Sequence, residues 1–361
     1  MTPVPRTLVL TRPRHLQLTD HPSRPLQPGE VRLRSLLSGI SHGTELSLYR
    51  GTSAFADKVF DRGLRAFVAP PAGSASAYPV TLGYEMVSEV VEVGPEVTAV
   101  RVGDVVHTGT PHQEETVLDV EQSLNTTYPL VVLPTANGLE RALFVSLAAV
   151  ALQAVHDAEI KLGDTVSVHG LGAIGLLAVQ MCTLEGIQNV IGVDPDPHRR
   201  DFAKRFGATN VVDPANAHPL GVRIRDVNGG RGVDVALEMS GSDRGLQGAL
   251  SAAGLGATVV AAGFYQGGAA NLRLGEEFHH NRLTLIASAG GWGVPNRHAP
   301  LWDRRRIMDT ATRLLYGGKV SVEGMLDRRF RFDDAPDAYA WLDRNPQGAV
   351  KVALAYGDGA G

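Results

Sequence analysis

The hexapeptide Gly170-Leu171-Gly172-Ala173-Ile174-Gly175 fits the pattern G-x-G-x-x-G, and its surroundings constrain the fold more than any other stretch of the chain. It follows the β-branched run Thr165–His169 and opens a segment in which Ile174, Leu177, Ala178, Met181 and Cys182 recur at helical spacing. In that setting Gly170 permits a tight turn and Gly172 lets the backbone approach a pyrophosphate. Gly175 lets helix and strand pack closely, and the helix N-terminus faces the anion. Asp194 ends the next strand, nineteen positions after Gly175, where a carboxylate accepts hydrogen bonds from adenosine ribose hydroxyls. Glycines also cluster in plain turns, and Asp194 could instead cap a helix before Pro195. Strand, turn, helix, strand and acid in register favour the nucleotide reading. Asp194 also favours NAD over NADP, because a carboxylate repels the extra phosphate; Arg199 and Arg200 follow closely and soften that preference.

The pattern around this motif divides the chain. Up to residue 146 the apolar runs are short and β-like: Thr7–Leu10, Glu30–Leu37, Met86–Val93 and Val102–His107, punctuated by turns such as Gln27-Pro28-Gly29. A compact, mostly antiparallel β domain, a small partly open barrel, is expected there. The Ala-, Pro-, Gly- and Ser-rich stretch 53–79 reads as a long surface loop, with the character of a lid. From 147 to 289 strands alternate with helices. The strands are Thr165–His169, Val190–Asp194, Asn210–Asp213, Val233–Glu238, Ala257–Ala262 and Leu283–Ser288. Such alternation predicts an α/β fold with a doubly wound parallel sheet and right-handed crossovers. The tail from 290 carries helical patterns at Arg305–Tyr316 and Ala335–Leu342 and a strand at Ala349–Ala355. It is expected to return to the first domain.

Composition narrows the class of function. Lys plus Arg number 34 against 38 Asp plus Glu, a formal charge of -4, which offers no electrostatic footprint for nucleic acid or an anionic membrane. No run reaches the ~18 consecutive apolar residues of a membrane span, so a soluble, cytoplasmic protein is expected. The one cysteine, Cys182, rules out an internal disulfide and any metal site that needs two thiolates from one chain. Its place on an apolar helical face predicts a packed, inert thiol.

A β-rich first domain, a central dinucleotide fold and a returning tail resemble the medium-chain dehydrogenase/reductase superfamily, over essentially the whole chain. The matches are Ser38-Gly39-Ile40-Ser41-His42-Gly43-Thr44-Glu45, Gly83-Tyr84-Glu85, Val93-Gly94 with Val102-Gly103-Asp104, the glycine motif, and Glu238-Met239-Ser240-Gly241. The nearest flavour is that of polyol, threonine and bacteriochlorophyllide dehydrogenases. The resemblance implies a GroES-like catalytic domain from 1–146 and 290–361 around a Rossmann domain at 147–289, and a homodimer paired along Leu283–Ser288. Ser240, Gly263 and Phe264 would then border the nucleotide, the last two beside the nicotinamide.

Zinc-dependent members carry a cysteine in the first motif, a histidine in Gly-His-Glu, and a further cysteine or acid before the nucleotide fold. Here those positions hold Ser41 or His42, then Tyr84, then Val145 or Ser146. Catalytic zinc takes three protein ligands and an open position, so the resemblance implies a member without catalytic zinc. The cysteine-rich lobe is missing after Val105-Val106-His107, and with it structural zinc. His107, His112 and His156 have no metal-site spacing and read as core or surface residues.

Without a metal, protein groups must manage charge on the substrate oxygen. Tyr84 takes the place of the metal-binding histidine and could donate a hydrogen bond or act as acid; base work would need its pKa, ordinarily about 10, to fall. His42 could act as acid or base. Thr44 matches the family's proton-relaying hydroxyl, and Glu85 could orient its neighbours. Each has a plainer alternative: a space-filling Tyr84, a solvated His42, Thr44 as a helix cap, Glu85 in a structural ion pair. His279 and His280 read as a polar loop, and Trp292 and Trp302 as pocket-lining or packing. The expected activity is zinc-independent hydride transfer between NAD(H) and a secondary alcohol or ketone of a small metabolite, of which polyhydroxylated and cyclic ones are the candidates. The alternatives are reduction of an activated C=C or C=N bond with NAD(P)H, in which hydrogen-bond donors hold the developing charge, and a nucleotide-binding protein without catalysis.

Overall fold

The computed structural model describes residues 4–53, 55, 58–70, 78–215, 218–289, 298–345, 347 and 349–357. The chain forms two units, Met1–Leu143 with Leu326–Gly361, and Phe144–Met325.

The second unit is built on a six-stranded parallel sheet. In spatial order its strands are Asn210–Val212, Asn189–Val193, Thr165–His169, Val233–Glu238, Ala253–Ala261 and Thr284–Ala287. Numbered along the chain this is 3-2-1-4-5-6, the doubly wound Rossmann order, which reverses direction beside the first strand and opens a crevice at the strands' carboxyl ends. The sheet is sandwiched because its strands are apolar on both faces: every residue of Thr165–His169 is buried. Ile191, Val193, Ala236 and Val259 pack with Leu246 and Leu250 of helix Asp243–Ala252.

The first unit holds a mainly antiparallel sheet running Val131–Val132, Val105–Thr108, Met86–Val93, Glu30–Ile40, Lys351–Ala355 and Leu326–Arg331, with Glu115–Asp119 also paired to Glu30–Ile40. His15–Asp20, Arg6–Arg12 and Val80–Thr81 form a small second sheet. Its core joins Leu8, Leu10, Ile40, Met86, Tyr339, Leu342, Val352 and Leu354.

Three expectations need correction. The return to the first unit comes at Leu326, not at 290, because helix Arg304–Tyr316 buries Ile307, Met308, Ala311 and Leu315 within the second unit. The last two strands, Leu326–Arg331 and Lys351–Ala355, lie parallel and enclose helix Ala335–Arg344. The first of them, Leu-Asp-Arg-Arg-Phe-Arg, is too polar to show a strand pattern. Within 53–79, Val59–Asp61 and Ala66–Val68 pair as a hairpin, with the Phe60 and Phe67 rings 5.2 Å apart edge to face; residues 71–77 of that stretch, and Trp292, lie outside the described residues. Trp302 packs edge to face with His156 at 4.4 Å, and the Arg306 guanidinium lies over the Trp302 ring.

Candidate active site

Two groups of residues carry chemistry, one in each unit. In the second unit the glycine turn has the geometry that a dinucleotide needs. Gly170 sits at φ 87°, a conformation that favours glycine, and a side chain there would strike Ser240. A Cβ on Gly175 would lie far inside the contact distance of the Gly170 carbonyl, whereas one on Gly172 would meet nothing and point into open space. Gly172 is also the N-cap of the twelve-residue helix Ala173–Leu184, and no side chain caps it. The first helical amides, at Ala173 and Ile174, thus belong to the unfilled donors of a helix terminus, which suit a pyrophosphate.

Asp194 is buried, and its Oδ2 accepts from the Leu171 amide at 2.7 Å while Oδ1 accepts from Asp196 N at 2.8 Å. It therefore fastens the glycine turn to the second strand. The helix cap is Asp196, which accepts from His198 N at 2.9 Å, so the capping alternative falls on a different residue. Both arginines are held by acids: Arg199 Nε lies 3.7 Å from Asp196, and Arg200 donates to the Asp194 carbonyl at 2.6 Å and lies 3.6 Å from Asp213.

At the neighbouring strand ends, buried Glu238 accepts from Ser240 N at 2.8 Å, from Gly241 N at 3.2 Å and from the Tyr265 hydroxyl. Burial, opposed by those hydrogen bonds, raises its pKa. A Cβ on Gly263 would collide with Gly241, so the two strand-end loops must approach backbone to backbone before Phe264. Cys182 is fully buried in the helix behind the turn, and burial pushes its thiol up to about 12. A depression of about 580 Å³ lies at the opposite, amino ends of the strands, lined in part by Lys161, Arg231 and Asp234, and holds none of these residues.

The first unit holds the second group. Ser41 follows the long strand Glu30–Ile40, just before helix Thr44–Arg50. The Tyr84 hydroxyl donates to Ser41 Oγ at 2.6 Å, and the Tyr84 ring stacks on Tyr128 with centroids 5.2 Å apart. Gly109 makes room for that stack, since a Cβ there would strike Tyr128. Burial, then the Glu85 charge, raises the Tyr84 pKa well above its ordinary value, so Tyr84 stays protonated and is a donor, not a base.

Behind Ser41 lie two buried ion pairs. Glu45 accepts from His112 Nε2 at 3.0 Å, from the Tyr339 hydroxyl, and from Ser41 N at 2.8 Å. His112 Nδ1 in turn meets Ser38 Oγ at 2.7 Å, which meets the Tyr356 hydroxyl at 2.9 Å. Burial works against the Glu45 charge, but His112, Tyr339 and the Ser41 amide outweigh it and hold Glu45 below the usual carboxylate range. Glu85 pairs with Lys351, whose Nζ also donates to the Ile40 carbonyl at 3.1 Å. Burial raises Glu85 to about 7, with Lys351 opposing. Gly39 is needed here because a side chain would occupy the space of Lys351 and Glu85.

Of the four proton-handling candidates, Tyr84 joins Ser41, and Glu85 pairs with Lys351. Thr44 is the first residue of its helix, and the N-cap is Gly43 without a side-chain cap. His42 is half-buried on the turn after Ser41. His107 and His112 are core residues. Sequence reasoning passed over Tyr128, Tyr339 and Lys351, and left Ser41, Glu45 and His112 without roles. The one available signal for Lys351 was a lysine in the otherwise apolar run Ala349–Ala355. At the positions where the resemblance places zinc ligands stand Ser41 or His42, then the hydroxyl of Tyr84, then the buried Val145 or Ser146. Among the described residues no three His, Cys, Asp or Glu side chains gather as a metal site. That set does not suit zinc, which takes thiolate, imidazole and carboxylate donors.

A Rossmann unit with a glycine cradle, joined to a mainly antiparallel unit with a buried hydroxyl and ion-pair site, defines a nucleotide-dependent oxidoreductase of the medium-chain dehydrogenase/reductase type. The chain belongs to the zinc-type alcohol dehydrogenase family of that superfamily. Residues 27–141 match "Alcohol dehydrogenase GroES-like domain" and 173–304 match "Zinc-binding dehydrogenase". The chain is 32% identical over 355 residues to D-guloside 3-dehydrogenase of Escherichia coli (strain K12), covering 97% of this chain and 100% of that protein. It is 29% identical over 286 residues to (R,R)-butanediol dehydrogenase of Bacillus subtilis (strain 168), covering 72% and 75%. Solved structures share the fold. That of 2R,3R-butanediol dehydrogenase from Bacillus subtilis has a TM-score of 0.76 at 22% identity, covering 97% of this chain and 99% of that one. Among the described residues no helix is long and apolar enough to cross a membrane.

Proposed function

We propose that the protein oxidises a secondary ring hydroxyl of a neutral sugar glycoside with NAD, or reduces the matching ketone, without zinc. The observation that carries this reading is the Tyr84–Ser41 hydrogen bond of 2.6 Å, two hydroxyls where zinc-binding relatives place metal ligands. The kinship with D-guloside 3-dehydrogenase supports the substrate class, and a site of neutral hydroxyls suits a neutral polyol.

When bound, the nicotinamide supplies the hydride acceptor. The chain's own residues do the rest: Gly170, Gly172 and Gly175 with the amides of Ala173 and Ile174 receive the pyrophosphate, and Asp194 receives the ribose. Tyr84 donates toward the substrate oxygen through Ser41. His42 would take the hydroxyl proton of the alcohol as it is oxidised and pass it on to water. Arg199 and Arg200 are engaged by acids, which supports NAD over NADP. The sheet ends at Thr284–Ala287 with no further strand among the described residues, and pairing of two copies there is part of the proposal.

The test is turnover of chelator-treated enzyme with NAD on methyl hexopyranosides, 2,3-butanediol, threonine and an enone. Metal-free oxidation of a glycoside, with a 3-keto product by NMR, is the expected result. Activity that chelation abolishes and zinc restores overturns the metal-free reading, and activity only on the enone overturns the substrate class.

A further inference from the structure

We propose that Ser41 is the residue that hydrogen-bonds the substrate oxygen, and that the two buried ion pairs behind it are positioning devices for one peptide plane. This rests on the metal-free oxidoreductase reading above and adds residues to it.

Hydrogen-bond direction marks Ser41 as a donor. Ser41 Oγ accepts from Tyr84 at 2.6 Å. Its own O–H has no acceptor among the described residues, although Ser41 is only 8% exposed. A serine hydroxyl can donate one bond and accept two, and a hydroxyl that accepts becomes a stronger donor. Ser41 is thus a polarised donor without an assigned acceptor, at the edge of a half-buried pair of stacked tyrosines.

Next comes the peptide that aims it. The Ile40–Ser41 peptide is held at both ends by buried charged groups: Lys351 Nζ donates to the Ile40 carbonyl at 3.1 Å, and Glu45 Oε1 accepts from the Ser41 N–H at 2.8 Å. Each is paired with a second buried side chain, Glu85 for Lys351 and His112 for Glu45. These four residues are at most 2% exposed. Buried ion pairs are a poor device for stability alone, since apolar replacements of like volume often do as well. Both pairs converge on one peptide, and a fixed donor is worth most where charge develops on an oxygen. Ser41 makes the contact; Lys351 and Glu45 act through it. No proton transfer is assigned to Ser41, which donates a hydrogen bond and keeps its proton.

The experiment compares Ser41→Ala, Ser41→Thr and the double variant Lys351→Met/Glu85→Gln with the chelator-treated wild-type enzyme on a glycoside it oxidises. The double variant removes both charges of one pair together and so avoids leaving an orphaned ion. Ser41→Ala is expected to lose about 100-fold in kcat, as for loss of one oxyanion donor, with the KM for NAD unchanged. Ser41→Thr, which keeps the hydroxyl, should stay within about fivefold of wild type. The double variant should lose about tenfold in kcat, again with the KM for NAD unchanged, a split that general loosening of the fold would not produce. A Ser41→Ala enzyme within about threefold of wild type, or a Thr variant as poor as Ala, overturns the role of Ser41 and leaves metal-free oxidation standing. Full activity of the double variant overturns the positioning role alone. Wild-type turnover that requires zinc overturns the underlying reading.

Discussion

The nucleotide cradle and the hydroxyl site are built on opposite plans. The cradle is backbone: glycines that admit close approach, a helix N-terminus without a cap, and one acid, all between Gly170 and Asp194. The hydroxyl site is side chain, drawn from Ser38 to Glu45, Tyr84 and Glu85, His112, Tyr128, and Tyr339 to Tyr356. A backbone site tolerates exchange of most of its side chains but no added Cβ at Gly175. A side-chain site fails at single atoms, because each buried charge depends on a few named partners. The two should therefore answer mutation differently.

The largest effect is expected from halving an ion pair. Glu45→Leu leaves His112 Nε2, the Tyr339 hydroxyl and the Ser41 amide without their acceptor. Removing one partner of a buried pair costs about 3–5 kcal/mol, which a shift in the denaturant midpoint would show. Glu45→Leu/His112→Leu together should cost less than the sum of the two single changes. Additive losses would show that the pair is not coupled and that the contrast between the two sites is weaker than drawn.

A difference in legibility follows from the same contrast. The strands Met86–Val93, Thr165–His169 and Val233–Glu238 fall where the apolar runs place them, since a strand buried on one or both faces writes its pattern locally. The glycine turn was legible because its spacing in sequence is its geometry in space. The Glu45–His112 pair spans 67 positions and the Lys351–Glu85 pair spans 266. Nothing local marks either, and His112 reads the same whether it is a core residue or a loop residue. The position of the chain's return was misread for a related reason: the apolar face of Arg304–Tyr316 shows that the helix packs, but not on which unit.

Glu85 sharpens the comparison through pH. Its folded pKa, about 7, lies above its ordinary 4.5 because burial disfavours the charge more than Lys351 restores it. A raised pKa means the folded state holds the proton more tightly than the unfolded state. The contribution to stability is therefore complete below about 4.5 and is lost as pH rises through about 7. The difference is of the order of 3 kcal/mol. Against Glu85→Gln, which cannot titrate, the wild type should lose relative stability between those limits, as followed by urea midpoints at successive pH values. Parallel curves would place the Glu85 proton elsewhere. His169 in the other unit, driven down to about 3 by burial, gives a slope of opposite sign between that value and its ordinary 6.5, but wild type and Glu85→Gln share it and it cancels in the comparison.

The smallest expected effect tests the one side chain on which the cradle depends. Asp194 carries two loads: its carboxylate ties Leu171 N and Asp196 N, and the same charge would repel a 2′-phosphate. Asp194→Ser removes the repulsion and most of the tie. The ratio of kcat/KM for NAD to that for NADP should fall about 10- to 100-fold, or about 1.4–2.8 kcal/mol. NADP will not gain fully, because Arg200 stays bound to the residue 194 carbonyl and beside Asp213 instead of turning to the phosphate. Adding Asp213→Asn frees one of those ties and should move the ratio further in the same direction. If Asp194→Ser weakens both nucleotides equally, the acid serves the turn alone, and the cradle's selectivity must lie in its backbone.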